Sequence, residues 1–438
     1  MTYRKTRISF SLTLFLIFVS ANLQAEEPKA WVSKNIDGLV ELYKQFHRSP
    51  EISFHEEKTG EKLAAEFHKL GIRVTSKVGG YGVIGLLKNG PGKMVMLRTD
   101  LDALPVTEKT GVPYASKVRT KDDDGVVIGA MHACGHDVHI TNMIGVARYL
   151  AANKKKWSGT VMFLGQPAEE RGAGATAMLK DGLFKRFGKP DFALALHVDA
   201  FLPTGYVGYR GGYAMANVDS VDITVKGKGG HGSLPQATID PIAQAAQLIV
   251  DLQTIVSREI SPFDPAVITV GAIHGGTKHN IISDSCHLKL TVRSYSAKVR
   301  KHLKAAIKRK AEAIAKSFRA PMPVVKFSEG TPSLFNNERL VERIVPVFEK
   351  VLGEDKVVPA EPVMGGEDFS QFGLAGVPIF MYRLGSVHQA RFDEMAKRGV
   401  KPPSLHSPLY YPNAKEALEV GIVTMTSSVM ELLKKKDR

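Results

Sequence analysis

Cysteine is scarce: Cys134 and Cys286 are the only two in 438 residues. In an oxidising compartment the default reading of such a pair is one disulfide. Their neighbourhoods favour another. Cys134 stands in a histidine cluster and reads as a metal ligand, whereas Cys286 lies in an alternating, strand-like stretch (Ser285 to Leu290) and reads as a packing residue. Long apolar runs are missing as well. Ile8 to Val19 is twelve residues, short of the roughly 20 that cross a bilayer, and no later segment is long and apolar enough, so no stable membrane anchor is expected. No internal repeat and no low-complexity linker occur. The glycine-rich stretch Gly227 to Ser233 lacks the Lys-Ser or Lys-Thr pair that closes a phosphate loop, and there is no dinucleotide fingerprint. No nucleic-acid motif accompanies the basic charge, so nucleic-acid binding is not expected.

What is present is ordinary for a globular chain: 44% hydrophobic and 24% charged residues, with length ample for two domains. The first 25 residues read as a signal peptide. Arg4, Lys5 and Arg7 form the basic end, Ile8 to Val19 the apolar run, and Ala21 to Ala25 the exit, with cleavage after Ala25. An exported protein is expected, periplasmic in a Gram-negative source. Net charge is +15, or +12 without that segment. The basic residues are scattered except for Lys434 to Lys436, which reads as a solvated helix end.

The stretch from Met131 to Ile140 concentrates the chemistry: His132, Cys134, His136, Asp137 and His139 within ten residues. An apolar helical run follows, Ile140 to Leu150, with Asp137 as the expected N-cap. Upstream, helices are expected at Trp31 to Phe46 and Glu56 to Leu70, and strands at Ile72 to Val78, Gly82 to Leu87 and Lys93 to Arg98. The last leads into Asp100-Leu101-Asp102. Downstream, the strand Gly159 to Leu164 ends at Gln166-Pro167-Ala168-Glu169-Glu170, and the strand Phe192 to Leu196 ends at His197. Strands alternating with helices, each strand ending in polar residues, predict an α/β sheet with its crevice at the carboxyl ends of the strands.

The pattern changes near Val218. Strand (Val218 to Val225), helix (Ile239 to Ser257), strands (Val267 to Ile273, Cys286 to Arg293), helix (Val299 to Phe318) and a strand at Val324 to Lys326 make an α+β layout. Residues 216–330 are therefore expected to be a domain inserted into a first domain formed by 26–215 and 331–438. The α/β pattern resumes with a helix at Glu338 to Val351, the strand Val377 to Tyr382, and a last helix from Asn413 to about Lys434. The polar segment Ser386 to Ser404 reads as a surface loop, or as an insertion at a pocket mouth.

Asp100, Asp102, Cys134, His136, Glu169, Glu170, His197 and His406 are the polar residues at strand ends or in adjacent loops. Each has a bland reading alone: Asp102 a turn cap, Glu169-Glu170 a helix start, His197 a core histidine, His406 a loop histidine. Together they mix soft, borderline and hard donors, which suits Zn, Mn, Co or Ni better than Ca or Mg. More than four candidates argue for two ions sharing a ligand. Adjacent glutamates pointing opposite ways can supply one ligand and one base.

The stretches Arg98-Thr99-Asp100-Leu101-Asp102-Ala103-Leu104-Pro105, His132-Ala133-Cys134-Gly135-His136-Asp137, Gln166-Pro167-Ala168-Glu169-Glu170, Leu196-His197-Val198 and Leu405-His406-Ser407-Pro408 resemble the motifs of the M20 metallopeptidase family, specifically its amidohydrolase branch. The resemblance runs from about Trp31 to Leu433. It implies a catalytic domain with a central, mostly parallel sheet and an inserted dimerisation or lid domain. It implies two divalent ions held by Cys134, His136, Glu170, His197 and His406. It also implies Glu169 as general base, Asp102 as the acid that holds the site from behind, and His231 as oxyanion partner, often from the other subunit of a homodimer. Asn280 and Arg293 match positions near substrate; for both a purely structural role is about as well supported. Where the wider family has a histidine ligand this chain has Asp100, as does the amidohydrolase branch. The activity implied is hydrolysis of N-acyl amino acids, hippurate-like. The alternatives are a carboxypeptidase or dipeptidase with the same machinery, and a metal-dependent binding protein that keeps the fold.

Overall fold

A computed structural model describes residues 27–435 apart from Asp123 and Glu329; the expected signal peptide and Lys436 lie outside the described residues. Eight strands form the main sheet. Their spatial order is Arg73–Val78, Gly82–Asn89, Gly159–Gln166, Met94–Asp100, Phe192–Pro203, Ile379–Val387, Val207–Tyr209 and Val357–Pro359. The four inner strands from Gly159–Gln166 to Ile379–Val387 run parallel, and antiparallel pairings flank them on both sides. Alternation divides the core in two. Val95, Leu97, Val161 and Phe163 face one layer with the helices Pro28–His47, His136–Ala152, Glu338–Leu352 and Ala414–Leu432. Met96, Met162 and Leu164 face the other, with Met178 and Phe372 from two short helices. A strand buried on both faces reads as a continuous apolar run, which is why the inner strands are visible in the sequence.

The second sheet is antiparallel, in the order Ala266–Gly275, Ser285–Ser294, Asn217–Lys226 and Val324–Ser328. The helices Pro241–Glu259 and Ala297–Ser317 cover one face and share a separate apolar core with it. Both start on side-chain caps: Asp240 accepts from the N–H groups of Ile242 and Ala243, and Ser296 from that of Val299. Cys286 is buried in this core and Cys134 in the other unit, and both are free thiols. Among the described residues no helix is long and apolar enough to cross a membrane.

Three expectations are corrected. The helix after the histidine cluster begins at His136, with Gly135 as N-cap at φ 77°. Asp137 is thus inside the first turn, where its carboxylate meets His47 at 2.7 Å instead of capping the helix. The strand from Phe192 does not stop at His197; pairing with Ile379–Val387 carries it to Pro203. The segment Ser386 to Ser404 contains a helix, Gln389–Lys397, capped by the ring of His388.

Candidate metal centre

Five chain segments meet at the carboxyl ends of the inner strands. Asp100 closes its strand level with Gln166. Arg98 is level with Ala195 on the other side, which puts His197 at the height of Asp100. After Gln166 the chain turns through Ala168 at φ 50° to present Glu169 and Glu170. Gly135 bends the chain between Cys134 and His136; a Cβ there would lie 2.6 Å from Val198 Cγ2, so glycine is required by both its φ and its neighbour. His406 also has a left-handed backbone, φ 67°, and its N–H donates to the Ala133 carbonyl at 2.9 Å. Left-handed residues without a glycine's freedom cost energy and cluster at functional sites.

The donor atoms converge. Cys134 Sγ is 3.5 Å from His197 Nε2. Glu170 Oε1 is 3.8 Å from His136 Nε2 and 3.5 Å from His406 Nε2. The donors of Cys134, His136 and His197 lie within 4.8 Å of one another, and so do those of Cys134, Glu170 and His406. Two triads therefore share one sulfur. Carbonyl oxygens can only accept, so the contacts of His136 Nδ1 with the Asp102 carbonyl (2.7 Å) and of His197 Nδ1 with the Val198 carbonyl (2.8 Å) place a hydrogen on each Nδ1 and leave each Nε2 to face the other donors. His136 Nε2 and Glu170 Oε1 are buried without a hydrogen-bond partner. Imidazole Nε2 atoms, an unpartnered carboxylate oxygen and a thiol gathered within a few ångströms are what a divalent cation would satisfy. The residues present fit such ions.

Asp102 holds two of these donors at once. Its carbonyl receives His136, and its carboxylate accepts from Glu170 N–H (2.9 Å) and Ser53 Oγ (2.6 Å). Asp100 has a different part. Its two oxygens accept from Arg98 Nη1 (2.8 Å) and His139 Nδ1 (2.7 Å). His139 Nε2 accepts the Val198 N–H at 2.9 Å. Both nitrogens of His139 are thereby used, and Asp100 braces the wall behind His136. Arg98 continues the frame to Gln166 Oε1, Glu367 Oε1 and Asp368 Oδ1 at 3.0, 2.8 and 3.3 Å. The sequence alone assigns no role to Arg98, Gln166, His139 or Glu367. A charged Arg and Asp two apart in an otherwise apolar strand were the available signal.

Burial and the crowding of acids govern the electrostatics of the centre. Burial pushes Glu169 well above the usual carboxylate range, and the charges of Glu367, Glu170 and Asp368 add to it. Burial likewise raises Glu170, to about 7, and keeps the Cys134 thiol protonated, helped by Glu170 and Glu169. Asp100 moves the other way: burial opposes ionisation, but His136, His139 and Arg98 together hold it well below its ordinary value. A cation at the shared sulfur would reverse the upward shifts.

The centre lines a cleft of about 760 Å³ to which Ser220, Arg293 and Ser328 of the second sheet also contribute. Arg293 donates one Nη1 bond to the Met364 carbonyl at 2.7 Å. His231 and Asn280 lie elsewhere. They are exposed on the second unit and adjacent to each other, with Gly232 N–H donating to the Asn280 carbonyl at 2.9 Å, and neither borders the cleft of this chain.

Residues 96–396 match the model of Peptidase family M20/M25/M40, and the chain belongs to that family, on its amidohydrolase side: it is a metal-dependent hydrolase of amide or peptide bonds. It is 36% identical over 370 residues to thermostable carboxypeptidase 2 of Saccharolobus solfataricus, covering 84% of this chain and 90% of that one. It is 32% identical over 442 residues to IAA-amino acid hydrolase ILR1-like 2 of Arabidopsis thaliana, covering 98% and 95%. The crystal structure of the YXEP protein of Bacillus subtilis, a dinuclear metal binding peptidase from the M20 family, superposes with a TM-score of 0.75 at 29% identity, covering 92% of this chain and 99% of that one.

Proposed function

We propose that this protein hydrolyses the amide bond of N-acyl amino acids, hippurate-like in form, using two divalent ions drawn from Zn, Mn, Co and Ni. The observation that carries the reading is the pair of donor triads sharing Cys134 with Glu169 beside them; Glu169 Oε2 is 3.9 Å from His136 Nε2. Cys134, His136 and His197 would hold one ion, and Cys134, Glu170 and His406 the other. Such ions, when bound, polarise the carbonyl and acidify a water. Glu169 takes the proton from the attacking water and passes it to the leaving amine. Asp102 keeps His136 and Glu170 in position. Arg293 faces the cleft as a cation for the substrate carboxylate, where a bidentate pair would fix the register of the leaving amino acid. His231 steadies the oxyanion from the partner subunit of a homodimer, and Asn280 beside it completes that edge. Residues 1–25 support export to the periplasm or medium with cleavage after Ala25.

Amino acid hydrolases and carboxypeptidases release the same kind of product, an amino acid with a free carboxylate. Likeness to the Saccharolobus enzyme therefore favours a second reading, carboxypeptidase or dipeptidase action at the same centre. A panel of N-acyl amino acids and dipeptides separates the two. For the mechanism, Glu169→Gln is expected to lower kcat by about 10²–10⁴-fold with bound metal unchanged. Turnover at the wild-type rate would remove Glu169 as the base.

A further inference from the structure

The cleft has a side pocket. It encloses about 260 Å³ and shares His197, Met215, Val363 and Leu405 with the cleft, so it opens beside the metal centre. Beyond that junction its wall is apolar: Ala200, Phe201, Ala214, Leu334 and Met381. The charged pair on the wall is satisfied internally. Arg383 donates to Asp199 Oδ2 at 3.2 Å and to the Glu361 carbonyl at 3.0 Å, and Asp199 Oδ1 accepts the Phe201 N–H at 2.7 Å. Phe201 is half exposed, with the Lys401 ammonium 5.9 Å from its ring centroid. Ser404 and Leu405 close the remaining side, so the segment that carries the Gln389–Lys397 helix also builds the pocket.

We propose that this pocket receives the acyl group of the substrate, as a single aromatic ring or a short branched chain, and that Phe201, Ala214 and Met381 set its size. The proposal rests on the amide-hydrolysis reading. Two observations give the orientation. Arg293 lines the cleft but not the side pocket, whereas Arg383 on the side pocket is neutralised by Asp199, so the carboxylate-bearing half of the substrate belongs on the Arg293 side. A planar amide sends its two substituents in opposite directions from the carbonyl. With that carbonyl at the donors and the amino acid toward Arg293, the acyl half points past His197 and Leu405 into the apolar pocket. The volume sets the class: whole small-molecule sites begin near about 300 Å³, so this space takes one group and not a whole ligand.

The experiment compares N-benzoylglycine with N-acetylglycine on the metal-loaded protein. The expected kcat/KM favours benzoyl by about 10–100-fold, the value of burying a phenyl-sized group. Ala214→Leu fills the pocket and is expected to cut that benzoyl-to-acetyl ratio by about tenfold. Phe201→Ala, at a half-exposed position that tolerates truncation, is expected to cut it as well, by a few-fold. Calorimetry on metal-loaded Glu169→Gln gives a readout without turnover: benzoylglycine should bind about tenfold or more tightly than acetylglycine. A ratio near one in both kcat/KM and Kd overturns the pocket assignment while leaving hydrolysis intact. So does a preference that follows the side chain of the leaving amino acid and shifts with Ala214→Leu. No turnover of any N-acyl amino acid by protein with its ions bound defeats the hydrolysis reading itself, and the proposal with it.

Discussion

At the scale of single residues, the centre is legible because its donors are chemically unusual, and its frame is not because its members are ordinary. A cysteine and two histidines around one glycine declare themselves. Arg98, Gln166 and His139 matter through partners far along the chain: Arg98 to Glu367 and Gln166 to Asp368. Nothing local signals such pairs. The same holds for His47, which the sequence reading passed over. Its ring is buried between Asp137 (2.7 Å) and Glu108 (3.2 Å). Burial alone would lower its pKa, but the two carboxylates outweigh it and raise it from 6.5 to about 9. A folded-state pKa above the unfolded one stabilises fully below the unfolded value, and that contribution disappears as pH rises through the folded value. Stability from His47 should therefore be full below pH 6.5 and lost by about pH 9, on the order of 3 kcal/mol. Melting temperatures of wild type and His47→Gln should converge across that window. Parallel curves from pH 6 to 9.5 would show that His47 does not titrate with folding.

At the scale of elements, the long helices and inner strands were readable from periodicity and apolar runs, and the errors have physical causes. Asp137 looked like a cap because Asp, Ser and Asn favour that position. The helix starts earlier because Gly135 alone can turn beside Val198, and Asp137 is drawn to His47 instead. The strand past His197 is extended by partners about 180 residues away in the Ile379–Val387 strand, which no local pattern encodes. The helix Gln389–Lys397 buries none of its residues, so it lacks the apolar stripe on which helix detection depends. Gly135→Ala tests the element that aims the centre. It should destabilise the fold by about 1–3 kcal/mol and weaken metal binding, because a Cβ clashes with Val198 and strains the Cys134–His136 bend. Wild-type metal affinity and melting temperature in that variant would show that the bend is not needed.

At the scale of the whole molecule, the switch from α/β to α+β patterning near Val218 was visible because a half-exposed antiparallel strand alternates while a buried parallel one does not. The second sheet serves the first at the cleft. Arg293 reaches the cleft from it, whereas His231 and Asn280 do not. The proposed homodimer supplies them from the partner, and mixing is the test. Glu169→Gln and His231→Ala, each of low activity alone, should regain substantial activity when combined, since mixed dimers then contain one site with both groups intact. No recovery in dimers shown to have exchanged subunits would place the action of His231 within its own chain or remove it from the reaction.

The most direct test of the central claim is the rate of N-benzoylglycine hydrolysis measured against the number of divalent ions bound per chain, from fully chelated to fully restored protein. Activity that is absent without ions, returns with them and reaches its maximum near two ions per chain is the predicted result. Full activity in stripped protein would contradict the account, as would a maximum that requires no second ion.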